Sequence, residues 1–418
     1  MSSKEIVLVH PPSPMLEQEK VVPPLGILYL AAVLQDAGHQ VRMLDVGREK
    51  IDLREFANIE FVGVSTTTPQ YPEALNILRA IRKEKRHFPI VAVGGPHATA
   101  MKERLLLDDW DYVCVGEGER AIISLVEGKH DGKLIIGERV SNLDSLPLPA
   151  YHLFDLKSYQ RPGAAKPTAP LLSSRGCPFH CTFCAKEVSG RIVRYHSPER
   201  FIDQVRMIKE RFGIDQFMIY DDIFTLVKER VKQICQRLTP LGITWRCQSH
   251  VRTIDKERLT FMQKAGCLEI AYGVENPDDR VLEYFGKGTT VEDNKRAIAI
   301  TKEAGIRVKI YLMFGSALDS FETARGMINF IEETEPDDVQ LSVLTPLPGS
   351  EMYAHPERFD LQFDVNDLGA YYHCGGGGKA GNVIRSTKFL SPEEFENALD
   401  MLYGFLEEWR TGKQGVSI

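Results

Sequence analysis

Short apolar runs alternate with amphipathic segments along the first 140 residues. Each run is apolar at consecutive positions, which is typical of parallel strands buried on both faces. The segments between the runs place apolar residues at helical spacing, as in 25–37 and 71–85. This alternation predicts a five-stranded, doubly wound open α/β sheet. The predicted strands are 6–9, 41–44, 61–64, 90–93 and 112–115.

A second alternation begins near residue 170 and contains six strand–helix units. Six such units in tandem predict a partial (β/α)6 barrel, whose reactive face lies at the carboxyl ends of its strands. A small C-terminal helical segment, with a helix over 392–410, is expected to follow. The predicted barrel strands are 170–173, 216–220, 244–248, 269–274, 308–314 and 339–343. The predicted helices between them are 198–212, 228–238, 256–265, 291–304 and 321–333.

The chain is longer than one hydrophobic core usually supports, so several domains are expected from its 418 residues. Proline-rich turns, such as Leu-Pro-Leu-Pro-Ala-Tyr151, interrupt both periodic patterns between them. The predicted organisation is an open-sheet domain over 1–141, a linker over 142–169, the barrel over 170–350 and a substrate-shaping segment over 351–418.

Composition and charge exclude several classes of function. The chain has a formal net charge of −7 and no basic stripe with interleaved aromatics, so a nucleic-acid partner is not expected. No apolar run reaches the roughly 18 residues that span a bilayer, so no membrane association is expected. The first residues lack the pattern of a signal peptide, which predicts a cytoplasmic protein. Eight cysteines in such a chain argue against a disulfide framework.

Small, turn-forming residues follow the predicted strands of the first sheet. They include Ser65-Thr66, Gly94-Gly95 and Gly116-Glu117. Because ligands of open α/β sheets bind outside the carboxyl ends of the strands, this edge is a candidate site for a large, flat ligand. The alternative is that strand–helix turns require such residues in any case.

Three cysteines crowd into eight residues, in Ser173-Ser-Arg-Gly-Cys177-Pro-Phe-His-Cys181-Thr-Phe-Cys184. Thiolates bind iron–sulfur clusters and zinc, and structural zinc sites take four ligands. No second close pair of cysteines follows, although His180 or His196 could complete a zinc site. Three thiolates on a four-iron cluster leave one iron open, which suits catalysis. The spacing therefore predicts a 4Fe–4S cluster, with zinc as the alternative.

The Cys-x3-Cys-x2-Cys motif, with an aromatic residue before its last cysteine, resembles the radical S-adenosylmethionine superfamily. In that family the open iron binds S-adenosylmethionine, and reductive cleavage gives a 5′-deoxyadenosyl radical. The segment Ala271-Tyr-Gly-Val-Glu-Asn276 is similar to a second element of the family. The implied S-adenosylmethionine contacts are Phe183, Asp221, Asp222, Arg252, Glu275 and Tyr311. For Asp221 and Asp222 a role as helix N-caps is equally consistent with the sequence, and for Phe183 the alternative is packing.

The order of the two predicted domains resembles that in the cobalamin-binding branch of this superfamily, to which the class B methyltransferase-like enzymes belong. The resemblance implies that the first domain is flavodoxin-like. The matching motifs include Val62-Gly-Val-Ser65, Val93-Gly-Gly-Pro-His97 and Val115-Gly-Glu-Gly-Glu119. The lower-ligand motif Asp-x-His-x-x-Gly is absent after Asp45, so the resemblance implies cobalamin without a histidine ligand, or a domain that has lost the cofactor. His39 and His97 are the alternative ligands, but solvated loop histidines are the simpler interpretation. The implied cobalamin contacts are Ser65, Thr66, Gly94, Gly95, Gly116 and Glu117.

The resemblance implies a cobalamin-dependent methyltransferase that acts on an unactivated carbon or a phosphinate-type centre of a small molecule. Two alternatives stay open: a non-methylating radical enzyme that dehydrates, epimerises, cyclises or rearranges its substrate, and a non-catalytic cobalamin or metal sensor. Three residues are candidates for a catalytic role. Tyr220 and Cys247 are candidate radical relays, and Cys374 is a candidate redox-active or hydrogen-donating thiol, with a small buried side chain as the alternative. A flavodoxin- or ferredoxin-type reductant is expected, and the protein is expected to be a monomer or a weak dimer.

Overall fold

The computed structural model of the chain describes residues 3–14, 20–47, 52–56, 58–83, 89–159, 166–364 and 384–414. The chain divides into two compact units. The first unit contains Met1–Pro178 and Lys186–Asp221, and the second contains Phe179–Ala185 and Asp222–Ile418.

The first unit is built on a parallel sheet with its helices in the connections between strands. Its strands are β1 (Glu5–His10), β2 (Gln40–Asp45), β3 (Phe61–Ser65), β4 (Ile90–Gly94), β5 (Tyr112–Gly116) and β6 (Leu134–Gly137), in the order β2-β1-β3-β4-β5-β6. Its first helices are α1 (Leu25–Asp36), α2 (Tyr71–Lys83), α3 (Pro96–Met101) and α4 (Gly118–Glu127). The predicted doubly wound sheet is confirmed, but it has six strands rather than five. The edge strand β6 was missed because it is short and exposes Ile136 to solvent, which weakens its apolar pattern.

The buried strand β1 lies between β2 and β3 in this sheet. Ile6 pairs with Val41 on one side and with Phe61 on the other, all in parallel register. Ile27 of α1 and Ile122 of α4 belong to the same apolar cluster as Ile6. This packing fixes the register, so the carboxyl ends of the central strands meet at one edge of the sheet.

The described parts of the region predicted as a linker, residues 142–159 and 166–169, belong to the first unit. Tyr151 is fully buried, and its hydroxyl donates to the carbonyl of Pro170 at 2.6 Å. The hydroxyl of Tyr159 donates to the carboxylate of Asp45 at the end of β2. The domain boundaries given above stay a prediction.

The second sheet has the strand order β14-β13-β12-β11-β10-β7. These strands are β7 (Ala169–Leu171), β10 (Gln216–Ile219), β11 (Thr244–Ser249), β12 (Cys267–Glu275), β13 (Arg307–Phe314) and β14 (Asp338–Val343), while β8 (Ser174–Arg175) and β9 (Arg194–Tyr195) form a separate pair. The remaining helices are α5 (Pro198–Phe212), α6 (Lys228–Leu238), α7 (Lys256–Lys264), α8 (Asp279–Tyr284), α9 (Val291–Glu303), α10 (Phe321–Thr334), α11 (Glu351–Ala354) and α12 (Pro392–Gln414). Alternation of strands and helices confirms the predicted partial barrel and its C-terminal helix.

Cys374 and the tetraglycine 375–378 lie outside the described residues. Within the part of the chain that the structure describes, no helix is both long enough and apolar enough to cross a membrane.

Candidate functional site

The cysteine motif begins directly after β8, in the first unit. Strands β8 and β9 pair in antiparallel register, with Arg175 opposite Arg194. The Cys177 amide donates to the carbonyl of Gly190 at 3.2 Å. Before it, Ser173 and Ser174 each donate an amide and a hydroxyl to the carboxylate of Asp221. The chain entering the motif is therefore held from two sides.

Two arginines that flank the motif converge on one buried carboxylate. Arg194 donates to both oxygens of Glu117 at 2.6 and 2.9 Å, and Arg175 lies 3.4 Å from the same carboxylate. Arg175 also donates to Glu119 at 2.6 Å, and the amide of Val140 donates to Glu117 at 2.7 Å. Burial alone would raise the pKa of Glu117. The hydrogen bonds from Arg194 and Val140 and the charge of Arg175 lower the pKa by more than burial raises it, so the net shift is downward and favours the ionised carboxylate.

His196, one of the two histidines considered as a fourth zinc ligand, makes contacts with other residues of the protein. Its Nε2 lies 3.3 Å from the Tyr29 hydroxyl and its Nδ1 lies 3.1 Å from Asp144. Burial lowers the pKa of His196 to about 4, more than Asp144 raises it. Both ring nitrogens therefore have protein partners. Among the described residues, no group of three or more His, Cys, Asp or Glu side chains is placed to hold a single metal ion.

The rest of the motif belongs to the second unit, where it docks on the end of α8. Thr182 donates its amide to Phe285 at 2.9 Å and its hydroxyl to Tyr284 at 3.3 Å. Phe183 packs edge-on against Phe285, with ring centroids 5.3 Å apart, and it stays half-buried. These contacts hold the backbone between Cys181 and Cys184.

Glu275 ends β12 in a left-handed conformation, with φ +64°, next to a register shift against β13. A non-glycine residue rarely adopts this conformation without compensating contacts. The Glu275 carboxylate accepts a hydrogen bond from Lys287 at 2.7 Å, and both side chains are buried. The sequence predicted a role for Glu275 but missed its partner.

The other predicted S-adenosylmethionine contacts lie at or near strand ends. Asp222 follows β10 and is half-buried, whereas Asp221 is fully buried. Arg252 is exposed after β11 and donates to the carbonyl of Gly288 at 2.7 Å. Tyr311 is half-buried within β13. Their roles toward a bound cosubstrate stay predictions.

The structure describes both predicted radical relays, Tyr220 and Cys247. Tyr220 directly follows β10, and its amide donates to Leu171 at 2.8 Å. Cys247 is buried inside β11, two residues before the strand ends at Ser249. The strand is one residue longer than predicted, so Cys247 lies deeper than the sequence suggested.

At the carboxyl edge of the first sheet, the turns that follow β3 and β4 are in close contact. The Thr66 amide donates to Gly94 at 3.0 Å, and the turn after β4 passes close to the turn after β3. Gly95 has φ +93°, and a Cβ there would lie 2.9 Å from the Ser65 hydroxyl. The two turns therefore approach each other too closely for any residue except glycine at position 95. The carboxylate of Glu117, which follows Gly116 at this edge, is instead directed to the two arginines.

The two histidines considered as alternative ligands are buried, contrary to the expectation that they are solvated. Nδ1 of His97 lies 3.1 Å from the Thr68 hydroxyl, and the ring packs against Tyr71. Burial lowers the pKa of His97 to about 4. His39 precedes β2, away from the carboxyl edge, and accepts a hydrogen bond from the Lys4 amide. The apolar sheet and helices around them explain their burial.

Comparison with known proteins assigns both halves of the chain. The family model described as B12 binding domain matches residues 15–126, and the model described as Radical SAM superfamily matches residues 171–331. The chain combines a B12-binding domain with a radical SAM domain. This confirms the resemblance seen in the sequence. The two domains imply the three expected cofactors: a 4Fe–4S cluster, S-adenosylmethionine and cobalamin.

Individual relatives and solved structures align with most of the chain. An uncharacterized methyltransferase of Pyrococcus horikoshii is 28% identical, over 88% of this chain and 86% of the relative. An anaerobic magnesium-protoporphyrin IX monomethyl ester cyclase of Cereibacter sphaeroides is 27% identical, over 88% of this chain and 65% of the relative. The structure of the radical S-adenosylmethionine methyltransferase TsrM of Kitasatospora setae, with cobalamin and a [4Fe-4S] cluster bound, superposes with a TM-score of 0.72 at 17% identity, covering 97% of this chain and 89% of that chain.

Sequence reasoning about this radical SAM domain missed Lys287 and the two arginines. Arg175 lies two residues before Cys177, and a charged residue in the short strand β8 could have indicated a buried ion pair. Lys287 lies between two glycines with positive φ. Arg194 carried no local signal, because its partner Glu117 is 77 residues away.

Proposed function

We propose that this chain is a cobalamin-dependent radical S-adenosylmethionine methyltransferase that acts on an unactivated carbon or a phosphinate-type centre of a small molecule. The observation that carries the proposal is the presence of both domain types in one chain, with three closely spaced cysteines at the start of the second. The relative from Pyrococcus horikoshii and the fold shared with TsrM support methyl transfer as the outcome.

When bound, the cluster and S-adenosylmethionine supply a radical that abstracts hydrogen, and cobalamin supplies the methyl group. Cys177, Cys181 and Cys184 are the cluster ligands in this proposal. Asp221 has a positioning role, because its carboxylate already accepts four hydrogen bonds from the two serines that precede the motif. Asp222 and Glu275 are left to orient the cosubstrate.

We infer that cobalamin binds at the carboxyl edge of the first sheet without a histidine ligand on its lower face. The carboxylate that ends β2, Asp45, accepts a hydrogen bond from the Tyr159 hydroxyl, and residues 46–50, directly after it, include no histidine. His97 is turned toward Thr68 and buried. The absorption spectrum of the corrinoid-loaded protein tests this inference. A spectrum that changes when His97 is replaced by Gln would contradict it.

The electron donor in this proposal is a flavodoxin- or ferredoxin-type protein, and the enzyme works as a monomer or weak dimer. A cytoplasmic location is proposed as well, because the thiolates that bind the cluster must be kept reduced.

A non-methylating radical reaction is the second candidate, since one relative of comparable identity is a cyclase. The two candidates differ in the fate of the methyl group of S-adenosylmethionine. The protein, loaded with iron, sulfide and cobalamin, is incubated without oxygen with methyl-deuterated S-adenosylmethionine, a strong reductant and a small-molecule extract. We expect a small molecule that gains the labelled methyl group, and no such product with the C177A/C181A/C184A variant.

Formation of 5′-deoxyadenosine together with products that carry no label would refute methyl transfer and favour the second candidate. Absence of 5′-deoxyadenosine would refute both.

A further inference from the structure

We propose that Lys287 is a positioning residue of this site: its buried ammonium holds Glu275 in place and raises the reduction potential of the cluster bound by the neighbouring cysteines. The inference rests on the function proposed above. It deepens that function by assigning a role to Lys287, a residue outside the cysteine motif and outside the segment 271–276.

The first observation is the pairing of Lys287 with Glu275. The ammonium lies 2.7 Å from Oε1 of Glu275, and both side chains are about one-tenth exposed. A charge buried to this degree needs a partner, because removing it from water costs several kcal/mol. The pair therefore keeps Glu275 in its left-handed conformation at the end of β12.

The second observation is that the backbone is shaped around this pair. A Cβ on Gly273 would lie 2.3 Å from Oε1 of Glu275 and 2.8 Å from Nζ of Lys287. Only a residue without a side chain leaves room for the two charged groups beside β12. The register shift between β12 and β13 falls at the same place.

The third observation links Lys287 to the cysteine motif. The backbone of Thr182 is hydrogen-bonded to Phe285, two residues before Lys287. A Cβ on Gly286 would lie 3.1 Å from the carbonyl of His180, so the two segments are in close contact. Lys287 therefore follows directly on a segment that contacts the residues on both sides of Cys181, His180 and Thr182.

A positive charge close to a cluster favours its reduced form, because reduction adds one negative charge. In the reaction one electron passes from the flavodoxin- or ferredoxin-type donor to the cluster. Net charge and burial around a cluster are among the features that set its potential. Lys287 opposes the charge of both the thiolates and Glu275, so its removal makes reduction harder, whereas removal of the Glu275 charge makes reduction easier.

The test is a potentiometric titration of the reconstituted protein with dithionite, followed by the electron paramagnetic resonance of the reduced cluster. In K287M we expect the equilibrium constant for reduction to fall about tenfold or more, which for one electron is a shift of about 59 mV to more negative potential. In E275Q we expect a shift in the opposite direction. K287R, which keeps the charge, should stay close to the wild type.

The matched control is K295M, because Lys295 forms a 2.6 Å ion pair with Glu333 on the surface of the same unit. It should leave the potential unchanged. If K287M does not fold, E275Q decides the question, since a purely structural role gives no reason for a shift to more positive potential. Unchanged potentials in the variants that fold would overturn the inference while leaving the proposed function intact. A wild-type protein that takes up no cluster would overturn both.

Discussion

The buried carboxylate of Glu117 forms ion pairs with Arg175 of β8 and Arg194 of β9. Replacement of Glu117 therefore tests whether these ion pairs stabilise the first unit. The substitution Glu117→Gln keeps the size of the side chain and removes its charge. Arg175, whose side chain is 9% exposed, then keeps its ion pair with Glu119, whereas Arg194, 10% exposed, keeps hydrogen bonds to the carbonyls of Val140 and Ser189. One buried positive charge becomes uncompensated.

Removing one partner of a buried ion pair typically costs about 3–5 kcal/mol. For a unit of roughly 200 residues, each kcal/mol shifts the unfolding temperature by about 2–4 °C, so we expect E117Q to unfold roughly 10 °C below the wild type. Differential scanning calorimetry of the cofactor-free protein at pH 7 measures this shift. The matched control is E138Q, because Glu138 pairs with Arg120 at the same kind of distance, 2.7 Å, but in solvent. The control should lose less than about 1 kcal/mol.

The effect of E117Q should also depend on pH. Because the folded protein lowers the pKa of Glu117, the ionised carboxylate stabilises the fold above its unfolded pKa, about 4.3. This stabilisation is lost as the pH falls through the lowered folded value. The difference between wild type and E117Q should therefore be complete at pH 6 and shrink below about pH 4.3. Equal unfolding temperatures of E117Q and E138Q at pH 7 would refute the reasoning.

Two further substitutions test local features of the first unit. His196 has a folded pKa of about 4 against 6.5 in water, so the unfolded chain binds the proton first as the pH falls, and stability is lost between pH 6.5 and 4. His196→Gln should flatten this dependence, by up to about 1.4 kcal/mol per pH unit in urea titrations; an unchanged slope would show that His196 is not the group responsible. Gly176 has φ +100°, and a Cβ would lie 2.6 Å from the carbonyl of Ile192. Gly176→Ala should reduce the amount of iron bound after anaerobic reconstitution. Gly404→Ala, the control, should not, because a Cβ there meets open space in α12. Equal iron contents in the two variants would contradict the claim that the close approach at Gly176 positions the cysteine motif.

The fold was predictable from the sequence because it depends on local periodicity. Helices α5 and α6 begin and end where the apolar spacing placed them, at Pro198–Phe212 and Lys228–Leu238. Strand β12 begins two residues earlier than expected, at Cys267, and ends one residue later, at Glu275. The edge strand β6 was missed because it is short and exposes Ile136.

The candidate site was predictable only where its residues are neighbours in the chain. The three cysteines lie within eight residues, so their spacing alone indicated a cluster. Glu275 and Lys287 are separated by 12 residues and a helix, and Glu117 and Arg194 by 77 residues. Such pairs form only when the chain folds, and each charged residue by itself is indistinguishable in sequence from a solvated one.

The central claim is that three thiolates bind a four-iron cluster and leave one iron for S-adenosylmethionine. The electron paramagnetic resonance spectrum of the anaerobically reconstituted and reduced protein, recorded with and without S-adenosylmethionine, tests it most directly. We predict a cluster signal that changes when the cosubstrate is added and is missing in the C177A/C181A/C184A variant. A spectrum that does not respond to S-adenosylmethionine, or a protein that binds zinc through these cysteines and no iron, would contradict the claim.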